Sequence, residues 1–167
     1  MNIASLVRSI STVPRPVVLI DGRSGSGKSS LADELAPALG AQLVRLDDIY
    51  PGWDGLQTGS DHVHEFVLTS HPRWQAWDWD TDSPGEWREL DASAPLVIEG
   101  AGTLSAANRR LATYGIWIEM DATTRKQRAL ARDGDLYAPH WERWAAQEEA
   151  FAASGHPRGR ADIELVG

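Results

Sequence analysis

The feature that most constrains this chain is Gly22-Arg23-Ser24-Gly25-Ser26-Gly27-Lys28-Ser29, which fits the pattern G-x-x-x-x-G-K-[ST] at every fixed position. It lies between a continuous apolar run, Val17-Val18-Leu19-Ile20, and a segment with Leu31, Leu35 and Leu39 at helical spacing. The run reads as a buried, central, parallel strand. The helix is expected to stop at Gly40, with Pro37 distorting its last turn. Strand, glycine-rich loop and helix in that order form a phosphate-binding unit. The glycines let the backbone bend so that successive N–H groups converge on phosphate oxygens, and the helix adds the positive end of its dipole. Lys28 then reaches the β and γ phosphates, and the Ser29 hydroxyl ligates magnesium. A turn that merely joined a strand to a helix would need neither the lysine nor glycines at these offsets. The expected ligand is a nucleoside triphosphate held by Gly22, Ser24, Gly25, Ser26, Gly27, Lys28, Ser29 and Ser30.

The rest of the chain repeats the alternation. Short strands are expected at Gln42 to Leu46, Leu96 to Glu99, Tyr114 to Met120 and Ile163 to Val166, and helices near residues 1–14, 105–112, 123–132 and 140–151. Strands alternating with helices predict an α/β fold of three layers, a central parallel sheet with helices on both faces. Two regions depart from the rhythm. Residues 49–60 read as a turn-rich loop followed by a helix over 61–70. Residues 74–90, with Trp77 and Trp79 at strand spacing and a Ser83-Pro84-Gly85 turn, read as an extended segment or small hairpin over the carboxyl edge of the sheet.

In an open parallel sheet, ligands lie beyond the carboxyl ends of the strands. Asp47 and Asp48 end the second strand and Glu99 ends the third, so these acids are expected to project toward the phosphate loop. A carboxylate there deprotonates an acceptor hydroxyl or holds magnesium. Adjacent strand residues face opposite sides, so the residues alone leave the base as either Asp47 or Asp48. Arg125, Arg128 and Arg132 are three and four apart and share one helix face, suited to bind the oxygens of a transferring phosphoryl group.

Composition narrows the classes. With 167 residues, one domain is expected, and 42% apolar and 24% charged residues are globular averages. A net charge of −8 leaves no overall footprint for nucleic acid, and no run of 18 apolar residues predicts a membrane span. The absence of cysteine excludes disulfides and thiolate chemistry and points to the cytoplasm. His62 and His64 are two apart and point in different directions on a helix. They therefore make a poor metal pair, and magnesium brought with the nucleotide is the only metal expected.

Taken in order, the motifs resemble those of the P-loop kinases of the uridine kinase and phosphoribulokinase type. Asp47-Asp48-Ile49-Tyr50 resembles that family's D-x-[FY]-Y, Val97-Ile98-Glu99-Gly100 its I-x-E-G strand, and Asp121 to Asp133 its D-x-x-x-R-x-x-R-x-x-x-R-D lid. Ala161-Asp162-Ile163 is similar to its stretch near the nucleotide base. The resemblance implies a P-loop NTPase fold over residues 1–167, with 49–90 an acceptor-side insertion and 122–160 the lid and C-terminal helices. It implies ATP and Mg2+ as cofactors, and Lys28, Asp47 and Arg128 as catalytic residues, with Asp47 as the base. Ser29, Asp47 and Glu99 would be metal ligands, and Arg125, Arg128 and Arg132 phosphate ligands. Asp48, Tyr50, Trp77 and Trp79 fall on the acceptor side, where Trp77-Asp78-Trp79 resembles an aromatic-Asp-aromatic element that touches the nucleoside. Members acting on uridine or cytidine carry a histidine after that element and an F-D-H-P segment after the tyrosine. Here Asp80-Thr81-Asp82 and Gly52-Trp53-Asp54-Gly55 stand instead.

Of the eight tryptophans, Trp77 is the expected ligand contact, whereas Trp117, Trp141 and Trp144 are expected to pack on strand and helix. The expected function is an ATP-dependent small-molecule kinase acting on a hydroxyl acceptor. The alternative is a P-loop ATPase or nucleotide-dependent switch acting on a protein partner. Its GTPase form is disfavoured because N-K-x-D is absent.

Overall fold

The computed structural model describes residues 2–167, the side chain of Asp133 excepted. In chain order the elements are α1 (Ile3–Ile10), β1 (Val17–Asp21), α2 (Lys28–Leu39), β2 (Gln42–Arg45), α3 (Leu56–His62), β3 (Arg73–Asp78), β4 (Ser83–Glu89), β5 (Leu96–Glu99), α4 (Ala106–Leu111), β6 (Tyr114–Glu119), α5 (Ala122–Tyr137), α6 (Trp141–Gly155) and β7 (Ile163–Val166). The main sheet is parallel throughout, in the order β2-β5-β1-β6-β7. β1 is central and buried along its whole length, as an uninterrupted apolar run requires.

Alternation along the strands makes the three layers. Val18, Ile20, Val97, Ile116 and Ile118 pack against Leu6 and Ile10 of α1 and Ala32, Leu35 and Ala36 of α2. Val17, Leu19, Val44, Leu96, Ile98 and Trp117 face a second core with Tyr50, Leu56, Val63, Trp144 and Phe151. Each of the valine, leucine, isoleucine and phenylalanine side chains among them contributes about 1.5 to 3 kcal/mol when taken fully out of water. The register pairs Ile20 with Glu99 and Arg45 with Glu99, so the carboxyl ends of β1, β2 and β5 finish level with one another where the phosphate loop begins.

The sequence expectations met the structure unevenly between β2 and β5. Residues 49–60 are not all loop, because α3 starts at Leu56 and is followed by a π turn at Val63–Val67. Leu56, Val63 and Val67 form the buried stripe that holds it. Gly59 fits here because of contact: a Cβ there would lie 2.5 Å from the Tyr50 ring. The strand expected through Leu46 ends at Arg45, and Leu46–Asp48 form a 3-10 turn. The hairpin is present as the antiparallel pair β3–β4, yet its turn lies at residues 79–82 rather than at Ser83-Pro84-Gly85. The Asp78 carboxylate accepts the Asp80 and Thr81 N–H groups and Asp82 adopts φ +49, which closes the turn before the proline. The helix expected to end at Arg132 continues to Tyr137 past a break at Gly134 (φ 52, ψ −130).

Asp21, at the end of β1, is the polar hinge of this arrangement. Its carboxylate accepts N–H groups from Gly22 (2.7 Å), Gly102 (3.1 Å) and Leu104 (2.8 Å), tying the phosphate loop to the turn after β5. Burial outweighs those amides and the nearby Lys28 charge and raises its pKa from 3.8 to about 6. A raised folded-state pKa means that the stability this group contributes is complete at low pH and is lost as pH rises through about 6. Asp21→Asn removes that titration. Between about pH 4 and about pH 7 the wild type should lose about 2 kcal/mol relative to the variant, measured by urea unfolding at each pH.

Candidate functional site

The phosphate loop has the backbone that its glycines predict. Gly25 adopts φ +79, and a Cβ there would lie 2.1 Å from the Arg125 carbonyl oxygen, so the loop and the first turn of α5 touch backbone to backbone. Gly27 (φ +102) leads into α2, whose N-terminus has no side-chain cap. Its first N–H groups are thereby left for a ligand. Ser26 Oγ is buried without a hydrogen-bond partner among the described residues. The Lys28 side chain folds back over the loop and donates to the Arg23 carbonyl at 3.1 Å. The Ser29 hydroxyl donates to Glu99 Oε1 at 3.0 Å.

A cleft of about 290 Å³, open to solvent, collects Ser24, Gly25, Lys28, Ser29, Asp47, Tyr50, Glu99, Ala101, Arg132 and Trp144. Glu99 is buried, and burial raises its pKa against the opposing pull of Lys28, the Ser29 hydroxyl and Arg45. Asp47 is brought to the same cleft by the 3-10 turn after β2. Asp48, one residue on, does not line it; its neighbouring charges are Asp47, Arg45 and Arg88. Serine hydroxyl, carboxylates and a ligand's phosphate oxygens are the hard donors magnesium takes, and magnesium needs only one or two protein carboxylates. Ser29, Glu99 and Asp47 fit that donor set.

The three arginines share a helix face but not an environment. Arg125 is buried and works on the loop from outside, donating to the Met120 carbonyl at 3.1 Å and the Ser24 carbonyl at 3.3 Å. Arg128 is exposed and away from the cleft. Arg132 lines it, with Nη2 3.9 Å from Asp47 Oδ2.

Elsewhere along the cleft Tyr50 is buried and donates its hydroxyl to the Ala101 carbonyl at 2.7 Å. Burial holds its pKa well above the usual phenol value. The Trp144 ring meets it edge-on at 4.7 Å. Trp79 Nε1 donates to the Asp47 carbonyl at 2.9 Å, which ties the tip of the β3–β4 hairpin to the backbone of the candidate base. Trp77 does not line the cleft, and its Nε1 is buried without a partner among the described residues. Trp53 stacks on His140 (4.3 Å) and Tyr137 (5.4 Å) and lies 5.1 Å from Trp79.

Sequence reasoning missed three members of this region. Trp144 packs as expected but also walls the cleft. Asp21 reads as the last residue of an apolar strand. Glu148, buried in the middle of α6, accepts the Ser24 N–H at 2.7 Å. A lone acid in a helix carries no signal of such a contact.

The close approach at Gly25 sets a test of the loop's conformation. Gly25→Ala puts a Cβ into the Arg125 carbonyl and strains a left-handed backbone, so it should cost about 3 kcal/mol in urea unfolding. Gly159→Ala, which meets nothing within 4 Å, should cost little.

The chain matches no protein-family model. It is 53% identical over 104 residues to a tRNA dimethylallyltransferase from Chlorobium phaeobacteroides (strain BS1), a match covering 56% of this chain and 32% of that protein. The chain thus spans about a third of the length of that curated relative. In structure it resembles a protein described as a possible uridine kinase from Bacillus stearothermophilus, with a TM-score of 0.63 and 21% identity over 98% of this chain and 96% of that one. It also resembles a gluconokinase from Sinorhizobium meliloti 1021, with a TM-score of 0.52 and 16% identity over 92% and 81% of the two chains. Five parallel strands flanked by helices, with the phosphate loop after the central strand, are the P-loop NTPase fold, here in the form found in uridine kinase-like structures.

Proposed function

We propose that this protein is an ATP-dependent kinase of a small hydroxyl-bearing acceptor. The observation that carries the reading is the shared cleft: Lys28, Ser29, Asp47, Glu99 and Arg132 meet there beside an aromatic wall of Tyr50 and Trp144. The loop amides and Lys28 bind the triphosphate. The Asp47 carboxylate takes the proton of the acceptor hydroxyl, whose oxygen bonds to the γ phosphorus as the bond from phosphorus to the β–γ bridging oxygen breaks and ADP leaves. Arg132 lies on the cleft side of α5, where its guanidinium meets charge spreading over the transferred oxygens. Ser29, Glu99 and Asp47 would hold magnesium, which when bound neutralises phosphate charge. Tyr50 and Trp144 line the acceptor's place, and Trp79 fixes the turn that carries Asp47. The cysteine-free chain suits a reducing compartment, and we place the reaction in the cytoplasm.

The relative at 53% identity favours a second reading, in which the same loop holds a diphosphate as leaving group and an alkyl group is transferred. One screen separates the two. Incubation of γ-labelled ATP and magnesium with a panel of sugars, nucleosides and hydroxy acids should label one acceptor class. Asp47→Asn and Lys28→Ala should each lower that rate by about 10²-fold or more. No labelled product from any acceptor, together with transfer of the dimethylallyl group from dimethylallyl diphosphate to tRNA, would replace the kinase with the second reading.

A further inference from the structure

One short stretch of α6 grips both sides of the cleft. Toward the acceptor side, the Arg143 guanidinium pairs with the Asp54 carboxylate through both oxygens, Nε donating to Oδ1 at 2.6 Å. Gln147 donates to the Trp53 carbonyl at 2.7 Å and accepts the Leu56 N–H at 3.3 Å. Toward the phosphate loop, Glu148 Oε1 accepts the Ser24 N–H at 2.7 Å, and Glu149 pairs with the Arg23 guanidinium at 2.6 Å. Trp144, between the two sets, lines the cleft itself.

These anchors fall within residues 143–149, a span of about 10 Å along a helix at 1.5 Å per residue. A helix segment that short moves as a unit. Displacing the 53–56 loop therefore displaces Glu148 and the amide it holds, and ordering either loop orders the other. Glu148 is also well suited to pass on such a shift, since it is buried and its partner is a backbone amide of the phosphate loop. Leaving that amide without an acceptor costs more than an ordinary hydrogen bond contributes.

We propose that Glu148 is a positioning residue for the phosphate loop and that α6, through Glu148 and Arg143, couples the acceptor-side loop to nucleotide binding. The proposal rests on the phosphate loop binding nucleotide but not on phosphoryl transfer. Coupling between sites is reciprocal, so a lesion on the acceptor side must be felt as nucleotide affinity.

The test is the dissociation constant of a non-hydrolysable ATP analogue with magnesium, measured by calorimetry. Asp54→Ala and Arg143→Ala change exposed side chains that do not line the cleft, so both variants should fold, and each should weaken binding about fivefold. Glu148→Ala should weaken it about tenfold. Glu148→Gln, which keeps an acceptor for the Ser24 amide, should bind within about twofold of the wild type. In the Asp54→Ala, Glu148→Ala double variant the acceptor-side lesion should add nothing further, and amide exchange at Ser24 should quicken in each weakened variant. Wild-type affinity in Asp54→Ala, or losses that multiply in the double variant, would overturn the coupling while leaving nucleotide binding intact. An unmodified protein that binds no nucleotide would overturn the phosphate-loop reading as well.

Discussion

A loop that offers its amides to a ligand cannot satisfy them itself, and the rest of this structure follows from holding such a loop in shape from outside. Buried backbone N–H groups are normally paired. Here the Ser24 carbonyl and the Gly22 and Ser24 amides are taken up by other elements, while the Ser26 amide turns inward to the Arg23 carbonyl. Arg125 takes the Ser24 carbonyl, Glu148 the Ser24 amide and Asp21 the Gly22 amide. The three come from α5, α6 and β1, and each is buried. The glycine at position 25 then reads as a packing requirement as much as a conformational one, since the α5 backbone presses against it.

The same logic explains why so acidic a chain can host an anion. Asp21 and Glu148 are spent on backbone amides, and the Arg23 side chain is paired with Glu149. Glu99 is set against Ser29 and Arg45, with Lys28 close by. Facing the cleft are Lys28, Arg132, which is ion-paired with Asp47, and the uncapped start of α2, together with Asp47 and Glu99. The local balance is therefore set by which carboxylates are already occupied and not by the net charge of −8.

How much of this the sequence discloses depends on the distance over which each interaction acts. The motif at Gly22 to Ser29, the all-apolar β1 and the cap at Gly40 are local, and they fix the phosphate unit and its neighbours correctly. Strand ends are also local: Glu99 closes β5, whereas Asp47 reaches the cleft on the 3-10 turn that follows β2. The region between β2 and β5 is where reading along the chain fails. Gly52, Gly55 and Gly59 look like turn residues, yet Gly59 is in a helix because Tyr50 packs against it. Trp53 reads as part of a loop, and its ring is stacked on Tyr137 at the far end of α5 and on His140 just beyond it. No periodicity within either segment reports such a meeting.

The cleft also shows why the resemblance located its phosphate-loop side more fully than its aromatic wall. Phosphate recognition uses backbone geometry, which a few glycines encode, and Ser29, Lys28 and Glu99 fall into place once the strands are in register. Acceptor recognition uses side chains from loops that can be replaced without disturbing the sheet. The tryptophan singled out in the sequence, Trp77, has its indole N–H buried away from the cleft. Trp144, on the last long helix, supplies the wall instead. That substitution of one element for another is possible because α6 is already committed to the phosphate loop through Glu148. A helix fixed there presents Trp144 and Gln147, four and one residues earlier, to Tyr50 and the Trp53 carbonyl at no further cost in backbone order.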